Sequence, residues 1–91
     1  DAIVTPQPGN ITFPIMVGLC GKGIAVTEEE ALRAMVLAFN RLKIVVEPGG
    51  AVALAAALFH GDELESETVI AVASGGNVDP EVMTGALSRF G

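Results

Sequence analysis

The sequence predicts an α/β fold that is mostly helical, with one buried parallel strand and short edge strands. The strand is the run from Val69 to Ala73, made of β-branched residues and alanine without a polar interruption. Such a run is typical of a strand covered on both faces, as in a parallel sheet flanked by helices. A second run, from Ala51 to Phe59, is apolar on every side and predicts a helix that is surrounded.

Composition limits the partners of the chain. Its 91 residues make one domain at most, and 51% of them are hydrophobic, as in the interior of something larger. A net charge of −6 with only five basic residues excludes the basic surface that nucleic-acid binding needs. No apolar run is long enough for a membrane span. The single Cys20 suits a reducing, cytoplasmic compartment, and we expect it to be a small apolar filler.

Two helices have clear start signals. Thr27 followed by three glutamates forms a capping box and predicts a helix that runs to about Leu42. Pro48, at a first helical position, begins a helix that runs to about His60, where Gly61 ends it. The apolar stripe of the first of these helices consists of Leu32, Met35, Val36, Phe39 and Leu42.

Shorter segments carry weaker signals. Residues 5–10 predict an irregular loop, after which Thr12 can cap a short helix from Phe13 to about Cys20. Residues 24–26 are either an edge strand or a connector, and residues 44–46 are either a short strand or the end of the preceding helix.

The C-terminal third continues with an acidic loop, residues 62–68, before the predicted strand. Asp79 then caps a last helix from Pro80 to Phe90. The inward residues of this helix are Val82, Met83, Ala86, Leu87 and Phe90.

The predicted strand and the apolar helix need more cover than the chain supplies. A doubly covered parallel strand implies neighbouring strands on both sides, and only short candidates exist. We therefore expect the chain to pack against a larger protein structure, either as the end of a longer polypeptide or as a separate partner chain. A small obligate oligomer is the alternative.

Two motifs could carry chemistry. Ser74-Gly75-Gly76-Asn77 follows the strand and places a hydroxyl and unhindered amides at its carboxyl end, although many such sequences only reverse the chain. Glu47-Pro48-Gly49-Gly50-Ala51-Val52 opens the apolar helix with a carboxylate and two glycines. By itself, Glu47 could simply stabilise the helix through its dipole.

Together these motifs resemble the C-terminal part of fold-type II pyridoxal-phosphate enzymes, in the threonine dehydratase and serine racemase branch. The resemblance runs from Asp1 to about Asp79. It implies a three-layer helix-sheet-helix domain like that of tryptophan synthase β, of which residues 1–91 are the C-terminal segment. It also implies a lyase that converts threonine, serine or another 3-hydroxy amino acid to a 2-oxo acid and ammonia. A serine racemase-type isomerase and a stand-alone binding or oligomerisation module are the alternatives.

The resemblance implies roles for single residues. Ser74 would bond the pyridine nitrogen of the cofactor, Gly75 would also contact the cofactor, and Glu47 would lie near the ring. Because a neutral hydroxyl stabilises a protonated ring nitrogen less than a carboxylate does, the ring is a weaker electron sink, which suits elimination over transamination.

Further matches concern the substrate and an activator. Gly9 and Thr12 match a loop that borders the substrate side of the site. Lys43 and Asn77 match positions that contact an activating nucleotide near the subunit interface of serine racemases, but a helix-end lysine and a turn asparagine are simpler interpretations. His60 is most simply a charge at a helix end.

The resemblance also indicates what the chain lacks. The lysine that holds the cofactor, the asparagine loop, the glycine-rich phosphate loop and the divalent-cation ligands of the family would all precede residue 1. The sequence therefore predicts no catalytic residue and no metal site in this segment, which we expect to be inactive alone. Its expected partners are an amino acid substrate, the rest of the catalytic domain and further copies in a homo-oligomer.

Overall fold

Helices form all of the regular structure in residues 2–91, the part of the chain that the computed structural model describes. Asp1, where the family resemblance begins, lies outside the described residues. The α-helices are α1 (Thr12–Val17), α2 (Glu28–Leu37), α3 (Pro48–Phe59) and α4 (Pro80–Phe90). A π-helical turn, Ala38–Leu42, extends α2, and short 3₁₀ turns span Ala2–Val4 and Gly61–Glu63.

Helix α2 begins and ends as local chemistry dictates. The Thr27 hydroxyl accepts a hydrogen bond from the Glu30 amide at 3.1 Å, and the Glu30 carboxylate accepts one from the Thr27 amide at 2.8 Å. This confirms the predicted capping box. The π-helical turn carries the helix to Leu42, and Lys43 ends it in a left-handed conformation with φ of 61°. Residues 44–46 then run without regular structure, so neither alternative predicted for them is correct.

The core lies where α2 packs against α3, and α4 also packs against α2. Small side chains dominate it, so the helices approach closely: the buried cluster consists of Ala34, Met35, Ala38, Val46, Ala51 and Ala55. The predicted stripe of α2 is correct for Met35 and Val36 but wrong for Phe39 and Leu42, which are 40% and 59% exposed. Ala31, Ala34, Met35 and Ala38 recur at the usual helical spacing and face the core, whereas Phe39 and Leu42 lie within the π-helical turn on the exposed side.

Helices α3 and α4 start where the sequence predicts. Pro48 occupies the first turn of α3. The Asp79 carboxylate caps α4 by accepting a hydrogen bond from the Glu81 amide at 3.0 Å. Of the inward residues predicted for α4, Ala86 is buried and Val82 is exposed, whereas Met83, Leu87 and Phe90 are half-buried.

Helix α1 departs from its prediction. It ends at Val17, and Ile11 rather than Thr12 precedes it, without a side-chain cap. Within residues 2–91, α1 packs against no other helix. Cys20 is exposed, so its expected role as an apolar filler is wrong in this chain. The reason is that nothing packs over the segment that contains it.

The predicted strand requires the largest correction. Residues 69–73 form no strand and are not buried: Val69, Ile70 and Val72 are 46%, 89% and 67% exposed. Residues 24–26 likewise form a connector and not an edge strand. A strand exists only through hydrogen bonds to a neighbour, and the described residues offer none. The radius of gyration, 13.9 Å, exceeds the value of about 12 Å expected for a closed domain of this length.

Candidate functional site

The two sequence motifs meet through the main chain. Glu47 is the N-cap of α3, in an extended conformation, and its amide donates a hydrogen bond of 2.9 Å to the carbonyl of Gly75. Residues 28 positions apart in the sequence are thereby joined. This junction brings the carboxylate of Glu47 to the peptide that follows Ser74.

Three glycines make the junction possible. A Cβ atom built on Gly75 would collide with the Glu47 carboxylate, one on Gly50 would lie 2.5 Å from the Gly75 carbonyl oxygen, and one on Gly76 would lie 2.6 Å from the Val45 carbonyl oxygen. None of the glycines described has a positive φ. They are therefore needed here for close approach of two backbones and not for a left-handed turn.

Ser74 and Glu47 supply the polar atoms of the junction. Ser74 is exposed, so its hydroxyl is accessible to a ligand, and Glu47 is half-buried. A hydroxyl can both donate and accept a hydrogen bond, whereas an ionised carboxylate only accepts. The junction therefore offers a ligand one group that donates or accepts a hydrogen bond and one that only accepts.

Asn77 lies near Glu47, but Lys43 is engaged elsewhere. A cleft of about 100 Å³ is lined by Glu47, Pro48, Asn77, Val78, Asp79 and Val82. The ammonium of Lys43 instead donates a hydrogen bond of 2.8 Å to the carbonyl of Asn40. This contact fits the simpler interpretation of Lys43 as a helix-end residue, and the nucleotide contact of Lys43 and Asn77 stays a prediction.

The predicted substrate loop forms a separate feature. Gly9 accepts a hydrogen bond of 3.1 Å from the Phe13 amide, and a Cβ on Gly9 would lie 2.9 Å from the Thr12 hydroxyl. Gly9 also lines an open cavity of about 390 Å³ with Gln7, Pro8, Asn10, Phe13 and Pro14. No residue of this cavity lines the cleft beside Glu47. Gly9 and Thr12 thus lie together, apart from the junction.

A charged cluster surrounds His60, and sequence reasoning missed it. The ring Nε2 lies 2.9 and 3.0 Å from the two carboxylate oxygens of Glu30, and Nδ1 lies 2.9 Å from Glu63. His60 follows α3 as its C-cap residue, as predicted. Glu63 follows His60 by three positions, so the sequence could have suggested that contact. Glu30 lies thirty positions away on another helix, so its contact with His60 could not be read from the spacing.

The residues described hold neither a metal site nor a membrane span. No group of three or more histidine, cysteine or acidic side chains in residues 2–91 could hold a metal ion. Among the helices of this part of the chain, none is both long and apolar enough to cross a membrane.

Several known proteins are similar to this chain in sequence. The chain is 38% identical over 89 residues to an L-threonine ammonia-lyase of Geobacter sulfurreducens, covering 98% of the chain and 22% of the relative. It is 44% identical over 81 residues to a serine racemase of Dictyostelium discoideum, covering 87% and 25%. A catabolic L-threonine dehydratase of Staphylococcus aureus is 39% identical over 92 residues, covering 98% and 27%. The chain therefore spans about a quarter of the length of these relatives.

A family model described as pyridoxal-phosphate dependent enzyme matches residues 1–75. No solved structure matches the chain at a significant level. The family match confirms the resemblance inferred from the two motifs, together with the cofactor that it implied. The chain belongs to the family of pyridoxal-phosphate dependent enzymes.

Proposed function

We propose that residues 1–91 are the C-terminal segment of the catalytic domain of a pyridoxal-phosphate-dependent ammonia-lyase. Its substrate is threonine, serine or another 3-hydroxy amino acid, which loses water to give an enamine. Hydrolysis of that product by a second water molecule then releases ammonia and leaves a 2-oxo acid. The observation that carries the proposal is the junction of Glu47 with Gly75, directly after Ser74. The chain's similarity to L-threonine ammonia-lyases supports the reaction class.

The junction suits the cofactor ring. Pyridoxal phosphate, when bound, supplies an electron sink for the amino acid. The absence of a side chain on Gly75 lets the Glu47 carboxylate lie directly against the peptide that follows Ser74, where a Cβ would collide with it. Ser74 would hold the pyridine nitrogen through its neutral hydroxyl, which would not force protonation of the ring and so would favour elimination over transamination. Glu47 would lie beside the ring, held by the hydrogen bond from its backbone amide to the Gly75 carbonyl.

The exposed apolar residues of the chain support the presence of a remaining part of the domain that packs over them. Residues 69–73 become the central strand of a three-layer helix-sheet-helix domain when neighbouring strands pair with both edges. Their exposure supports this, because β-branched residues without polar alternation are otherwise unsuited to water. The apolar, unpacked helix α1 supports it as well. In that domain Gly9 and Thr12 border the substrate.

A racemase is the second candidate function. Its support is the 44% identity with the Dictyostelium serine racemase. The same Ser74 and Glu47 would serve it, since both reactions begin at the α-carbon of an amino acid. In either case we place the enzyme in the cytoplasm as a homo-oligomer, and the single cysteine of the chain suits that reducing compartment.

The decisive test is the product formed by the longest native form of the protein. With pyridoxal phosphate and L-threonine or L-serine, we expect stoichiometric 2-oxo acid and ammonia. D-Serine formation in excess of 2-oxo acid would instead select the racemase. If protein shown to retain the cofactor formed neither 2-oxo acid nor D-serine, both candidate functions would be overturned and a non-catalytic module would be favoured.

The 91-residue chain alone should not bind the cofactor covalently. Its only lysines are Lys22, whose side chain is 78% exposed, and Lys43, which is bonded to a helix-end carbonyl. Neither is held in the apolar setting that makes a lysine nucleophilic. Incubation with pyridoxal phosphate, borohydride reduction and peptide mapping should therefore show no stoichiometric label on either lysine.

A further inference from the structure

His60 joins three elements of the chain. It follows the last turn of α3, its Nε2 lies 2.9 Å from a Glu30 oxygen in the first turn of α2, and its Nδ1 lies 2.9 Å from Glu63 in the 3₁₀ turn. The side chains of His60 and Glu30 are only 25% and 21% exposed. The contacts are therefore partly shielded from water, unlike most surface ion pairs.

The geometry requires a doubly protonated ring. A neutral imidazole has one N–H group, so it can donate to one carboxylate while its other nitrogen presents a lone pair. Here both nitrogens face carboxylate oxygens. Only the imidazolium satisfies both contacts, and loss of either proton places a lone pair against a negative oxygen.

Other groups contact the two carboxylates that face His60. Oε1 of Glu30 also accepts a hydrogen bond from the Thr27 amide, which fixes the carboxylate in place. Lys22 lies 3.7 Å from Glu63 and offsets part of that negative charge. The Arg33 guanidinium of α2 lies over the ring of Phe59, 5.0 Å from its centroid. Two carboxylates therefore act on the ring directly.

We propose that His60 is a pH-dependent clamp between the C-terminal end of α3 and the N-terminal end of α2, closed when the imidazole is doubly protonated. This function is independent of the proposed enzymatic activity. Because Glu47 caps the opposite end of the same helix, the clamp fixes α3 against α2 at the end away from the junction with Gly75.

The pH window follows from the two partners. The hydrogen bonds with Glu30 and then Glu63 raise the pKa of His60 above 6.5. The clamp's contribution is therefore complete below 6.5 and is lost as pH rises through the higher folded-state value. The hydrogen bond from His60, followed by that from Thr27, lowers the pKa of Glu30 below 4.5. On the acid side, its contribution is lost only as pH falls through that lowered value.

Hydrogen exchange of the longest native form tests the clamp. Amide exchange rates are measured for peptides from residues 27–37 and 56–64 at several pH values between 5.5 and 8.5. Each rate is compared with the intrinsic rate of the unstructured peptide at the same pH, which gives the protection of these segments. We expect protection to fall roughly 1.5- to 5-fold as pH rises through this range. The peptide 80–90 from α4 should keep constant protection.

Two variants separate the clamp from general pH effects. His60→Gln keeps a polar side chain without a titrating ring and should abolish the pH dependence. Glu30→Gln retains a capping box, since glutamine also serves at this position, and should move the midpoint to lower pH. A wild-type profile matching that of His60→Gln, or an unmoved midpoint in Glu30→Gln, would overturn the proposal.

Discussion

Gly50 in the first turn of α3 lies directly against the backbone of Gly75. A Cβ atom on Gly50 would fall 2.5 Å from the Gly75 carbonyl oxygen and 2.8 Å from its amide nitrogen. Both atoms belong to the main chain, so they cannot rotate away as the end of a long side chain can. The contact therefore fixes how close the start of α3 comes to Ser74.

Gly50→Ala should displace the Ser74-Gly75 peptide. We expect a loss of about 1–3 kcal/mol in the free energy of unfolding from overpacking, larger than the gain of about 0.5–1 kcal/mol from replacing a helical glycine. Urea unfolding of the longest native form measures it. Gly85→Ala in α4 is the matched control, because no atom lies within 4 Å of its added Cβ. Equal effects of the two variants would contradict the close approach.

Ser74→Ala should preserve the fold and weaken cofactor retention. Loss of one hydrogen bond of about 0.5–1.5 kcal/mol corresponds to roughly a 2- to 13-fold weaker affinity for pyridoxal phosphate. Ser74→Asp places a carboxylate at the same position and should alter the visible absorbance of the bound cofactor, because it favours a protonated ring nitrogen. Equilibrium dialysis and absorbance titration measure the two effects. Unchanged affinity and spectra in both variants would show that Ser74 does not touch the ring.

Thr27→Ala should destabilise the start of α2 by about 0.5–2 kcal/mol, since it removes the acceptor for the Glu30 amide. The reciprocal bond from the Thr27 amide to the Glu30 carboxylate does not need the hydroxyl and should remain. Thr84→Ala, at an exposed position within α4, changes the same residue type without removing a cap. We expect its free energy of unfolding, measured by urea denaturation, to lie within about 0.5 kcal/mol of the wild-type value.

The 91-residue chain alone should associate. Apolar side chains exposed by 46% or more occupy both α1 and residues 69–72, and include Phe13, Ile15, Met16, Val17, Val69, Ile70 and Val72. Unpaired extended backbone beside them is a template for other chains. Size-exclusion chromatography should show oligomers or aggregates. The double substitution Ile70→Lys and Val72→Lys should reduce this association. A monodisperse monomer with a cooperative melt would contradict this expectation.

Local signals predicted the helices well. The capping box at Thr27, Pro48 at the start of α3 and Asp79 before α4 depend on residues within one helical turn of each other, so the sequence contains all of the relevant information. The ends of α1 and the register after Leu37 were missed. A π-helical turn leaves no pattern in a periodicity of 3.6 residues.

The candidate site was predicted as a set of residues but not as a geometry. Ser74, Gly75 and Glu47 could be named because two motifs resemble one family in the right order. Their contact through the Glu47 amide, and the need for Gly50 to lack a side chain, depend on how α3 meets the loop after residue 73. Gly9 and Thr12 were named by the same resemblance, yet Gly9 lines a separate cavity in this chain and Thr12 lies beside Gly9.

The sequence by itself determined the starts of α2, α3 and α4, the family and the polar residues of the junction, because each rests on neighbouring residues or on a motif. Only the tertiary structure decided the rest. It joined Glu47 to Gly75, placed His60 between Glu30 and Glu63, and left residues 69–73 unpaired. The physical reason is that hydrogen bonds between distant residues, and the pairing of a strand, depend on partners that local propensity does not specify.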